Sequence, residues 1–423
     1  MSPAVSLADH LQRAAREQPA ALALRYGETA WSFAEWLADI RQLAAALAPG
    51  NEPLVKAGSS LDLARHAYAC SLLNRPFFPV DRQATAPSLP NTELPPGVAL
   101  IIATSGSEGL PRGVLLGNTQ LDAAARGSNE RLPLAAGDLW LNCLPLQHIG
   151  GQSILWRCAR AGATLLLHDC FVVDAVAGDL ATQPVTHISL VPAMLARLLD
   201  SGVKPPPSLR VALIGGAALS QSLHARASAA GWPLYVSYGM SETAAQIATH
   251  PPSEGPWREG MAGRPMPGHE ICIGDDDRIR IRGPQVMLGY LGGDGLDADG
   301  WLTTGDLGQI DADGRLCVLG RADDMLISGG KNIHPQTVES CLAACPGVAD
   351  IAVTGLPDPV WGDLIVALVV GNATPDKLLA HARSHLPSAA VPRKIRSLDR
   401  LPRNAAGKLE RAALRRLARE ASA

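Results

Sequence analysis

The segment TSGSEGLPRG, residues 104–113, is the most informative part of this chain. It follows the apolar run 98–103, which is typical of a buried strand. Glycines let backbone N–H groups close on an anion, hydroxyls donate further hydrogen bonds, and Arg112 adds positive charge. A strand that leads into such a loop predicts a polyphosphate site, although an ordinary polar turn is the alternative for the loop taken alone.

The composition is that of an ordinary globular protein. The chain of 423 residues is 47% hydrophobic and 18% charged, with a formal net charge of −3. This balance gives no electrostatic reason to expect nucleic acid or an anionic membrane surface as a partner. No apolar run approaches the roughly 20 residues that span a bilayer, and the N-terminus lacks a signal-peptide pattern. We therefore expect a cytoplasmic protein without a membrane span.

The eight cysteines are scattered, and only Cys341 and Cys345 are close in sequence. Their spacing of four suits neighbouring turns of one helix better than a zinc site, and no second pair completes a set of four ligands. We therefore expect reduced, buried thiols, as in a reducing cytoplasm.

Helical patterns alternate with short apolar runs in the first half of the chain. Ser6 and Ser32 are each followed three residues later by an acidic side chain, which predicts helix starts with capping boxes. The runs 163–167, 187–191 and 211–214 are typical of buried strands. This alternation predicts an α/β fold with a largely parallel sheet.

The pattern changes near residue 270, where short alternating strands are separated by Gly/Asp turns. A last block of strands and helices begins near residue 320. We therefore predict two domains. The first is a large N-terminal domain of mixed sheets with flanking helices, residues 1–319, and the second is a small α+β C-terminal domain, residues 320–423.

Two segments carry groups suited to a nucleotide. Gly215, Gly216 and Ala217 follow an apolar run, and a double glycine lets the backbone approach a flat ligand, although an ordinary turn is the alternative. Residues 238–243, YGMSET, combine a ring for stacking, a carboxylate for a hard cation and a hydroxyl for a phosphate oxygen. The alternative is a helix start capped by Ser241, and this could be true together with nucleotide binding.

Later segments add an acid, a guanidinium and a lysine. Asp306, in GWLTTGDLG, can accept hydrogen bonds from both hydroxyls of a cis diol, and Arg321, in GRADD, can brace it. A surface aspartate in a glycine-rich turn is the alternative for Asp306. Lys408, in PRNAAGKLER, would ordinarily be a solvated surface charge, and His148, in LPLQHIGG, would ordinarily be a packed core histidine.

In order and spacing, these segments resemble the acyl-adenylate-forming superfamily of acyl-CoA synthetases, aryl-acid ligases and adenylation domains, over roughly residues 20–415. The resemblance implies that a carboxylic acid and Mg·ATP give an acyl adenylate and pyrophosphate, after which a thiol captures the acyl group. ATP, Mg²⁺ and CoA are the cofactors and co-substrates that it implies. A carboxylate is a poor electrophile because its leaving group is oxide, whereas a mixed anhydride with AMP has a good leaving group.

The resemblance assigns most of the motif residues to the nucleotide. The first loop would close on the β- and γ-phosphates, and the double glycine would lie against adenine and the acyl group. Tyr238 would pack on adenine, while Asp306 and Arg321 would bind the ribose hydroxyls. The implied nucleotide-binding residues are Thr104, Ser105, Gly106, Ser107, Gly109, Arg112, Gly215, Gly216, Ala217, Tyr238, Gly239, Asp306 and Arg321.

The same resemblance implies four catalytic residues. Lys408 would reach the carboxylate and the α-phosphate in the first half-reaction. Thr243 would contact the α-phosphate, and Glu242 would help to hold the Mg²⁺ ion. His148 would form a gate near the acyl pocket.

The resemblance also implies that the small C-terminal domain is mobile. Asp323 resembles the hinge about which this domain rotates between the two half-reactions. The loop 328–333, SGGKNI, resembles the segment that enters the site for the second half-reaction. Gly329 and Gly330 would leave room there for a pantetheine arm.

The phosphate loop departs from the family pattern at two positions. Glu108 stands where a threonine is usual, and Arg112 stands where a lysine is usual. Arginine keeps the charge but presents a fork of donors instead of a point charge. A glutamate beside a triphosphate is electrostatically unfavourable unless it points away or meets Arg112, so this departure bears on nucleotide affinity.

The run 148–157, HIGGQSILWR, resembles that of the o-succinylbenzoate–CoA ligases of menaquinone biosynthesis. This resemblance implies that Arg157 pairs with the second carboxylate of the acid, for which a guanidinium is well suited. Gln152 and Gly239 would also bind the substrate. An arginine on the outside of a helix, or one paired with a structural acid, is the alternative for Arg157.

Other functions stay open at this point. The chain fits a CoA ligase for another aromatic or short-chain acid, or a ligase that loads the thiol of a separate carrier protein. A catalytically silent nucleotide-binding protein is the non-enzymatic alternative, and the presence of Lys408, Glu242, Asp306 and Arg321 argues against it. A homodimer is compatible with the sequence as well.

Overall fold

The computed structural model describes residues 4–81, 94–105, 111–293, 295–403 and 409–420. Helices and strands alternate through the first half of these ranges, as the sequence predicts. The α-helices are α1 (Leu7–Glu17), α2 (Phe33–Ala46), α3 (Ser60–Leu72), α4 (Asn118–Arg131), α5 (Ile149–Ala161), α6 (Val173–Thr182), α7 (Pro192–Asp200), α8 (Gln221–Ala229), α9 (Pro335–Ala343), α10 (Pro375–His385) and α11 (Arg411–Glu420).

The strands are short in the first half of the chain and longer near its end. They are β1 (Leu22–Tyr26), β2 (Thr29–Ser32), β3 (Leu54–Lys56), β4 (Phe77–Pro79), β5 (Val98–Ser105), β6 (Pro111–Gly117), β7 (Leu139–Asn142), β8 (Thr164–Leu167), β9 (His187–Leu190), β10 (Val211–Ile214), β11 (Leu234–Met240), β12 (Ala245–His250), β13 (Met261–Pro265), β14 (Glu270–Ile273), β15 (Arg278–Arg282), β16 (Gly289–Tyr290), β17 (Leu302–Ile310), β18 (Leu316–Arg321), β19 (Leu326–Ser328), β20 (Lys331–Ile333), β21 (Val348–Asp358), β22 (Gly362–Gly371) and β23 (Lys394–Ser397).

The largest sheet in the described ranges has thirteen strands, in the order β14-β15-β17-β18-β13-β12-β11-β10-β9-β7-β8-β1-β2. From β1 to β11 the neighbouring strands are parallel. From β11 to β14 they are antiparallel. The parallel pairs of β8, β9 and β10 confirm the parallel strands predicted from the alternating pattern. The sheet as a whole is mixed rather than largely parallel, because seven of its twelve neighbouring pairs are antiparallel. The antiparallel part contains the short strands predicted after residue 270.

Side-chain alternation along the parallel strands builds a core on each face of this sheet. Trp140 of β7 points into the core formed with α1 to α5. Its neighbours Leu139 and Leu141 point into the core formed with α6, α7 and α8. Ser6 and Ser32 begin α1 and α2 with reciprocal capping boxes, which confirms the predicted helix starts.

A second sheet, in the order β16-β6-β5-β4-β3, carries the predicted phosphate loop. Strands β5 and β6 form an antiparallel hairpin in which Thr104 pairs with Arg112. The strand predicted at residues 98–103 is confirmed because it lies within β5. Residues 106–110, between these two strands in the sequence, lie outside the described ranges.

A third sheet, in the order β20-β19-β22-β21 with β23 beside β22, lies in the last hundred residues. Helices α9 and α10 pack on one face of it and α11 packs on the other. The hydrophobic clusters around the third sheet share no residue with those around the first two sheets. Strand β18 runs to Arg321, so the domain boundary expected after residue 319 stays a prediction. Among the described residues, no helix combines the length and the apolar character that crossing a membrane requires.

The start of α5 depends on a glycine. Residues 143–148 fold back against the first turn of the helix, and the Gln152 side chain donates a 2.7 Å hydrogen bond to the Leu146 carbonyl oxygen. A Cβ atom on Gly151 would lie 2.5 Å from the carbonyl oxygen of Pro145. Backbone atoms cannot move aside as a flexible side chain can. Only glycine therefore lets this turn pack closely against the helix.

We expect Gly151→Ala to destabilise the protein by about 1–3 kcal/mol, because the new methyl group overpacks this turn. Chemical denaturation would measure the free energy of unfolding. The neighbouring Gly150→Ala is the matched control, since its Cβ would meet only the Leu144 side chain, at 3.4 Å. It should be neutral or stabilising by up to about 1 kcal/mol through helix propensity. Equal losses in both variants would contradict the packing explanation.

Candidate functional site

Three of the predicted nucleotide-binding residues meet at the centre of the large sheet. The Tyr238 hydroxyl, from β11, donates a 2.6 Å hydrogen bond to Oδ2 of Asp306 in β17. Arg321 is the residue opposite Asp306 on β18, and its Nε lies 3.6 Å from Asp306 Oδ1. The structure thus brings the predicted acid and guanidinium together and adds the Tyr238 hydroxyl, a contact that the sequence did not predict.

Local backbone and charge explain why this cluster holds together. A Cβ atom on Gly305 would lie 2.7 Å from the Arg321 guanidinium, so glycine at this position makes room for the arginine. Burial, with the Asp306 carboxylate as the next cause, raises the pKa of Tyr238 well above its ordinary value. Tyr238 therefore remains a hydrogen-bond donor to Asp306 at neutral pH.

A second cluster connects the phosphate-loop hairpin to the 238–243 motif. The Tyr290 hydroxyl donates a 3.0 Å hydrogen bond to Oε1 of Glu242. The Arg112 guanidinium carbon lies 5.5 Å from the centre of the Tyr290 ring, within the range of a cation–π contact. Burial and the negative charge of Glu242 raise the pKa of Tyr290 to about 12. A protonated tyrosine thus lies between the predicted phosphate-binding arginine and the predicted magnesium ligand.

Sequence reasoning missed Tyr290, which follows a glycine in a two-residue strand. Its role depends on the pairing of β16 with β6, where Tyr290 lies opposite Val114. A pairing between strands so far apart in sequence leaves no periodic signal in either of them.

The 238–243 motif ends in a tight turn rather than a capped α-helix. Ser241–Thr243 is a short 3₁₀ helix without a side-chain cap, so the alternative role of Ser241 as a cap is wrong. Thr243 is fully buried, and its hydroxyl lies 3.1 Å from the carbonyl oxygens of Met240 and Ala245. A Cβ atom on Gly239 would collide with the Ala245 carbonyl oxygen. Gly239 is therefore required by this turn, whatever it contacts in a ligand.

The double glycine lies at the carboxyl end of β10, the edge where parallel sheets bind ligands. The Gly215 N–H donates to the Leu190 carbonyl oxygen, and a Cβ atom on Gly215 would lie 2.8 Å from the Ser237 hydroxyl. Gly216 has a φ of 78°, and both Gly216 and Ala217 are exposed. The backbone here is accessible to a ligand, as the sequence predicts.

Helix α5 carries the residues assigned to the acid. His148 is the residue at its N-terminal cap and is half-buried. Gln152 is buried, and its amide group holds the preceding turn through Leu146. A structural role for Gln152 is thus observed, and its contact with a substrate stays a prediction.

Arg157 is 3% exposed and lies inside the protein, with its guanidinium carbon 5.4 Å from the centre of the Trp140 ring. No carboxylate among the described residues pairs with it, and its buried Nε has no hydrogen-bond partner there. Both alternatives for Arg157 are therefore wrong among the described residues: it is not on the outside of the helix, and it is not paired with a structural acid. Burial lowers the pKa of Arg157 to about 10, which leaves it charged at pH 7.

The predicted hinge and second-half-reaction loop lie in the third sheet and just before it. Asp323 is in the 3₁₀ helix Ala322–Asp324, with a carboxylate oxygen 3.4 Å from the Arg321 guanidinium. Gly329 and Gly330 form the two-residue turn between β19 and β20, with φ angles of 57° and 73°. Other predicted positions lie outside the described residues, namely Gly106, Ser107, Gly109 and Lys408, with Glu108, and the side chain of Ser105 is not described.

The sequence pattern of the AMP-binding enzymes matches residues 51–291, and that of the AMP-binding enzyme C-terminal domain matches residues 337–408. The 2-succinylbenzoate–CoA ligase of Bacillus pumilus is 39% identical to this chain over 330 residues, which is 74% of the chain and 68% of that protein.

Solved structures show the same similarity. The o-succinylbenzoate CoA synthetase of Bacillus subtilis, in complex with the acyl-adenylate intermediate OSB-AMP, has a TM-score of 0.84 and 30% identity over 96% of this chain and 97% of that chain. The same enzyme in complex with ATP and magnesium ion has a TM-score of 0.84 and 31% identity over 96% and 98%. The predicted α/β fold, with a large N-terminal and a smaller C-terminal part, is confirmed.

The buried layer around Arg157 gives a prediction for the pH dependence of stability. His187 is fully buried in this layer, stacked on Trp140, and burial lowers its pKa to about 4. An unfolded histidine binds its proton below about pH 6.5, whereas the native one does so only below about 4. The unfolded state therefore gains protons first, and stability is lost as the pH falls from about 6.5 towards 4.

We expect His187→Gln to remove about 2 kcal/mol of the stability loss between pH 7 and pH 5. Urea denaturation of both proteins at each pH would measure it. All other titrating groups are shared by the two proteins, so their contributions cancel in the difference. The same pH dependence in His187→Gln as in the parent protein would contradict a neutral, buried His187.

Proposed function

Because the chain belongs to the family of AMP-binding enzymes, we propose that it is an AMP-forming acid–CoA ligase that acts on o-succinylbenzoate. In the first half-reaction, an oxygen of the acid's carboxylate attacks the α-phosphorus of ATP, and the bond to the bridging oxygen of pyrophosphate breaks. In the second, the thiol of CoA loses its proton and attacks the acyl carbon. The bond between the acyl carbon and the AMP oxygen then breaks, and AMP leaves.

One observation carries the proposal: the 238–243 motif joins the two clusters into a single site. Its first residue, Tyr238, holds Asp306, and its fifth, Glu242, accepts from Tyr290 beside Arg112. A group that binds a ribose diol and a group that binds phosphate oxygens are thus connected through six residues of chain. This is the arrangement that one ATP molecule requires.

Each cluster has a defined role in this function. Asp306 accepts hydrogen bonds from the two ribose hydroxyls, and Arg321 holds its carboxylate in place. Tyr238 provides the ring against adenine, and Gly215 and Gly216 let the backbone approach it. Because the charge of the attack develops at the α-phosphate, catalysis depends on positioning and on cationic groups around that atom.

The carboxylate of Glu242, in the second cluster, is a suitable ligand for a magnesium ion. Tyr290 engages only Oε1 of Glu242, and no hydrogen bond from the described residues reaches Oε2. Mg²⁺ prefers one or two carboxylates together with phosphate oxygens. The ion, when bound, neutralises charge on the phosphates. Glu242 would hold it, and Tyr290 would fix the orientation of the Glu242 carboxylate.

The buried guanidinium of Arg157, which has no carboxylate partner among the described residues, supports an acid with two carboxylates. An unpaired buried cation is unfavourable by several kcal/mol, and a cation–π contact with Trp140 offsets only part of this. A carboxylate of the substrate would complete the pair. Arg157 follows His148 by nine residues, which is about 13 Å along a helix axis. The two carboxylates of o-succinylbenzoate are closer together than this, so the long side chain of Arg157, which leans towards the N-terminus of the helix, must cover part of the distance.

The second half-reaction requires a different arrangement. We propose that residues 320–423 form a domain that rotates about Asp323, and that Lys408 acts in the first half-reaction and withdraws for the second. The Gly329–Gly330 turn would then face the site. Both residues have positive φ and carry no side chain, so a pantetheine arm could pass close to the backbone.

Several finer assignments belong to the same proposal. The free state of all eight cysteines supports a reducing, cytoplasmic location. A homodimer stays a prediction.

Three alternatives to this proposal remain. The acceptor could be the thiol of a carrier protein instead of CoA, and the substrate could be another aromatic or short-chain acid. The non-enzymatic alternative is a silent nucleotide-binding protein.

Release of pyrophosphate from ATP, measured over a panel of acids, tests the function. We expect turnover with o-succinylbenzoate and a loss of about 100-fold with the analogue that lacks one carboxylate, because Arg157 would again be unpaired. Arg157→Gln should remove this discrimination. Arg160→Gln is the matched control on the same helix, since Arg160 pairs with Asp122.

Thioester formation with CoA distinguishes CoA from a carrier protein as the acceptor.

Each outcome of the panel decides one point. The absence of turnover with every acid would overturn the enzymatic function. Turnover confined to monocarboxylic acids would overturn the o-succinylbenzoate assignment. An unchanged preference for the diacid in Arg157→Gln would overturn the role of Arg157 alone.

We expect Tyr290→Phe to raise the Mg²⁺ concentration for half-maximal pyrophosphate release roughly tenfold, because Glu242 loses a hydrogen bond to its charged group. The matched control is Tyr26→Phe, which removes a comparable 2.8 Å hydrogen bond from a tyrosine hydroxyl to the Asp169 carboxylate. Tyr26 lies in β1, away from the site, and its variant should keep the parent Mg²⁺ dependence. Equal shifts in both variants would contradict a specific role for Tyr290.

A further inference from the structure

We propose that Cys341, His381 and His385 form a binding site for a zinc ion in the C-terminal region of this chain. Cys341 is in α9, and the two histidines are in α10. One ligand atom of each of the three residues lies within 4.8 Å of those of the other two. This site is separate from the nucleotide site, and it does not depend on the proposed ligase function.

The two histidines have the spacing that helical metal sites use. Residues four apart lie on one face of a helix, one turn above the other. The rings of His381 and His385 accordingly stack, with their centres 4.3 Å apart and an angle of 28° between their planes. The rings must turn out of this stacked arrangement to direct one nitrogen each at a single ion, and His385 is exposed and has the space to do so.

Backbone hydrogen bonds select the nitrogen that each ring would offer. His381 Nε2 lies 3.0 Å from the Cys341 carbonyl oxygen. His385 Nδ1 lies 2.9 Å from the His381 carbonyl oxygen and 2.8 Å from the Ser384 hydroxyl, which itself donates to that carbonyl. A carbonyl oxygen can only accept, so these nitrogens carry the protons. The opposite nitrogens, Nδ1 of His381 and Nε2 of His385, then hold lone pairs. Metal-bound histidines in proteins are oriented by the same kind of hydrogen bond.

The chemistry of the three ligands favours zinc over the hard cation of the nucleotide site. One thiolate and two imidazoles are soft or borderline ligands, which Zn²⁺ binds in tetrahedral geometry, whereas Mg²⁺ prefers oxygen. Three protein ligands leave the fourth tetrahedral position to water.

The sequence alone did not predict this metal site. The spacing of Cys341 and Cys345 suggested no zinc site, and the structure keeps Cys345 outside the cluster. The ligands that complete the set come instead from a second helix, about forty positions later in the chain. An ion at this place would join α9 to α10. Ser340, which precedes Cys341 in α9, donates a hydrogen bond from its hydroxyl to Glu259 of the large N-terminal region, so the same helix also contacts that region.

Cobalt is a direct probe of this site because Co²⁺ occupies zinc sites and is coloured there. The full-length protein is freed of metal with a chelator, kept in a phosphine reductant without ATP or Mg²⁺, and titrated with Co²⁺. We expect tetrahedral d–d bands and a thiolate-to-cobalt charge-transfer band that saturate at a single equivalent. Zn²⁺ should then displace the cobalt and abolish both signals.

Variants of the ligands test the assignment. Cys341→Ser should lose the charge-transfer band, and His385→Gln should bind at least about 100-fold more weakly. Cys170→Ser, at an exposed cysteine elsewhere, is the control for thiol binding. His66→Gln is the control for the histidines, because His66 Nδ1 also lies near a carbonyl oxygen four residues back, at 2.6 Å, in α3. Both controls should behave as the parent protein does.

Circular dichroism of each variant checks that it folds, and the exposed position of His385 makes its substitution compatible with the fold. Unchanged bands in Cys341→Ser, or the absence of tetrahedral cobalt in the parent protein at millimolar Co²⁺, would overturn the proposal. Equal weakening in His66→Gln and His385→Gln would overturn it too, since binding would then be unspecific.

Discussion

The site depends on the 2.6 Å hydrogen bond from Tyr238 to Asp306. It connects β11, the last strand of the parallel half of the large sheet, to β17 in the antiparallel half. The two strands are not neighbours, because β12, β13 and β18 lie between them in the order of the sheet. Four strand spacings of about 4.8 Å each would separate the two strands in a flat sheet, so the sheet must curve strongly between them for the side chains to meet. This contact therefore depends on the curvature between the parallel and the antiparallel part of the sheet.

Much of the fold could be predicted from local patterns. The capping serines, the parallel strands and the hairpin strand at residues 98–103 each have a signal within a few residues. Asp306 and Arg321 were expected together, and they are partners across β17 and β18. The position of Tyr290 could not be found in this way, because it is set by a strand pairing between residues 114 and 290. Periodicity within one segment carries no information about such a pairing.

Arg157 and the Cys341 cluster illustrate the same limit for charge and for metal ligands. A helical arginine is ordinarily exposed, and only the packing of α5 on β7 and β8 places it against Trp140, which in turn stacks on His187. Likewise, the spacing of cysteines in the sequence says nothing of histidines on a neighbouring helix. In both cases the residue type was visible in the sequence, and its surroundings required the packed structure.

Strand β18 ends at Arg321, and the turn that contains Asp323 follows at once. The guanidinium of Arg321 lies near the carboxylates of both Asp306 and Asp323. One side chain thus touches the nucleotide cluster and the expected pivot of the chain. If residues 320–423 rotate about Asp323 as proposed, the distance between Arg321 and Asp306 would change with the rotation, and nucleotide affinity would differ between the two orientations. By thermodynamic linkage, a bound nucleotide then biases the orientation by the same free energy. A nucleotide bound at Asp306 would thereby favour one of the two proposed orientations of residues 320–423.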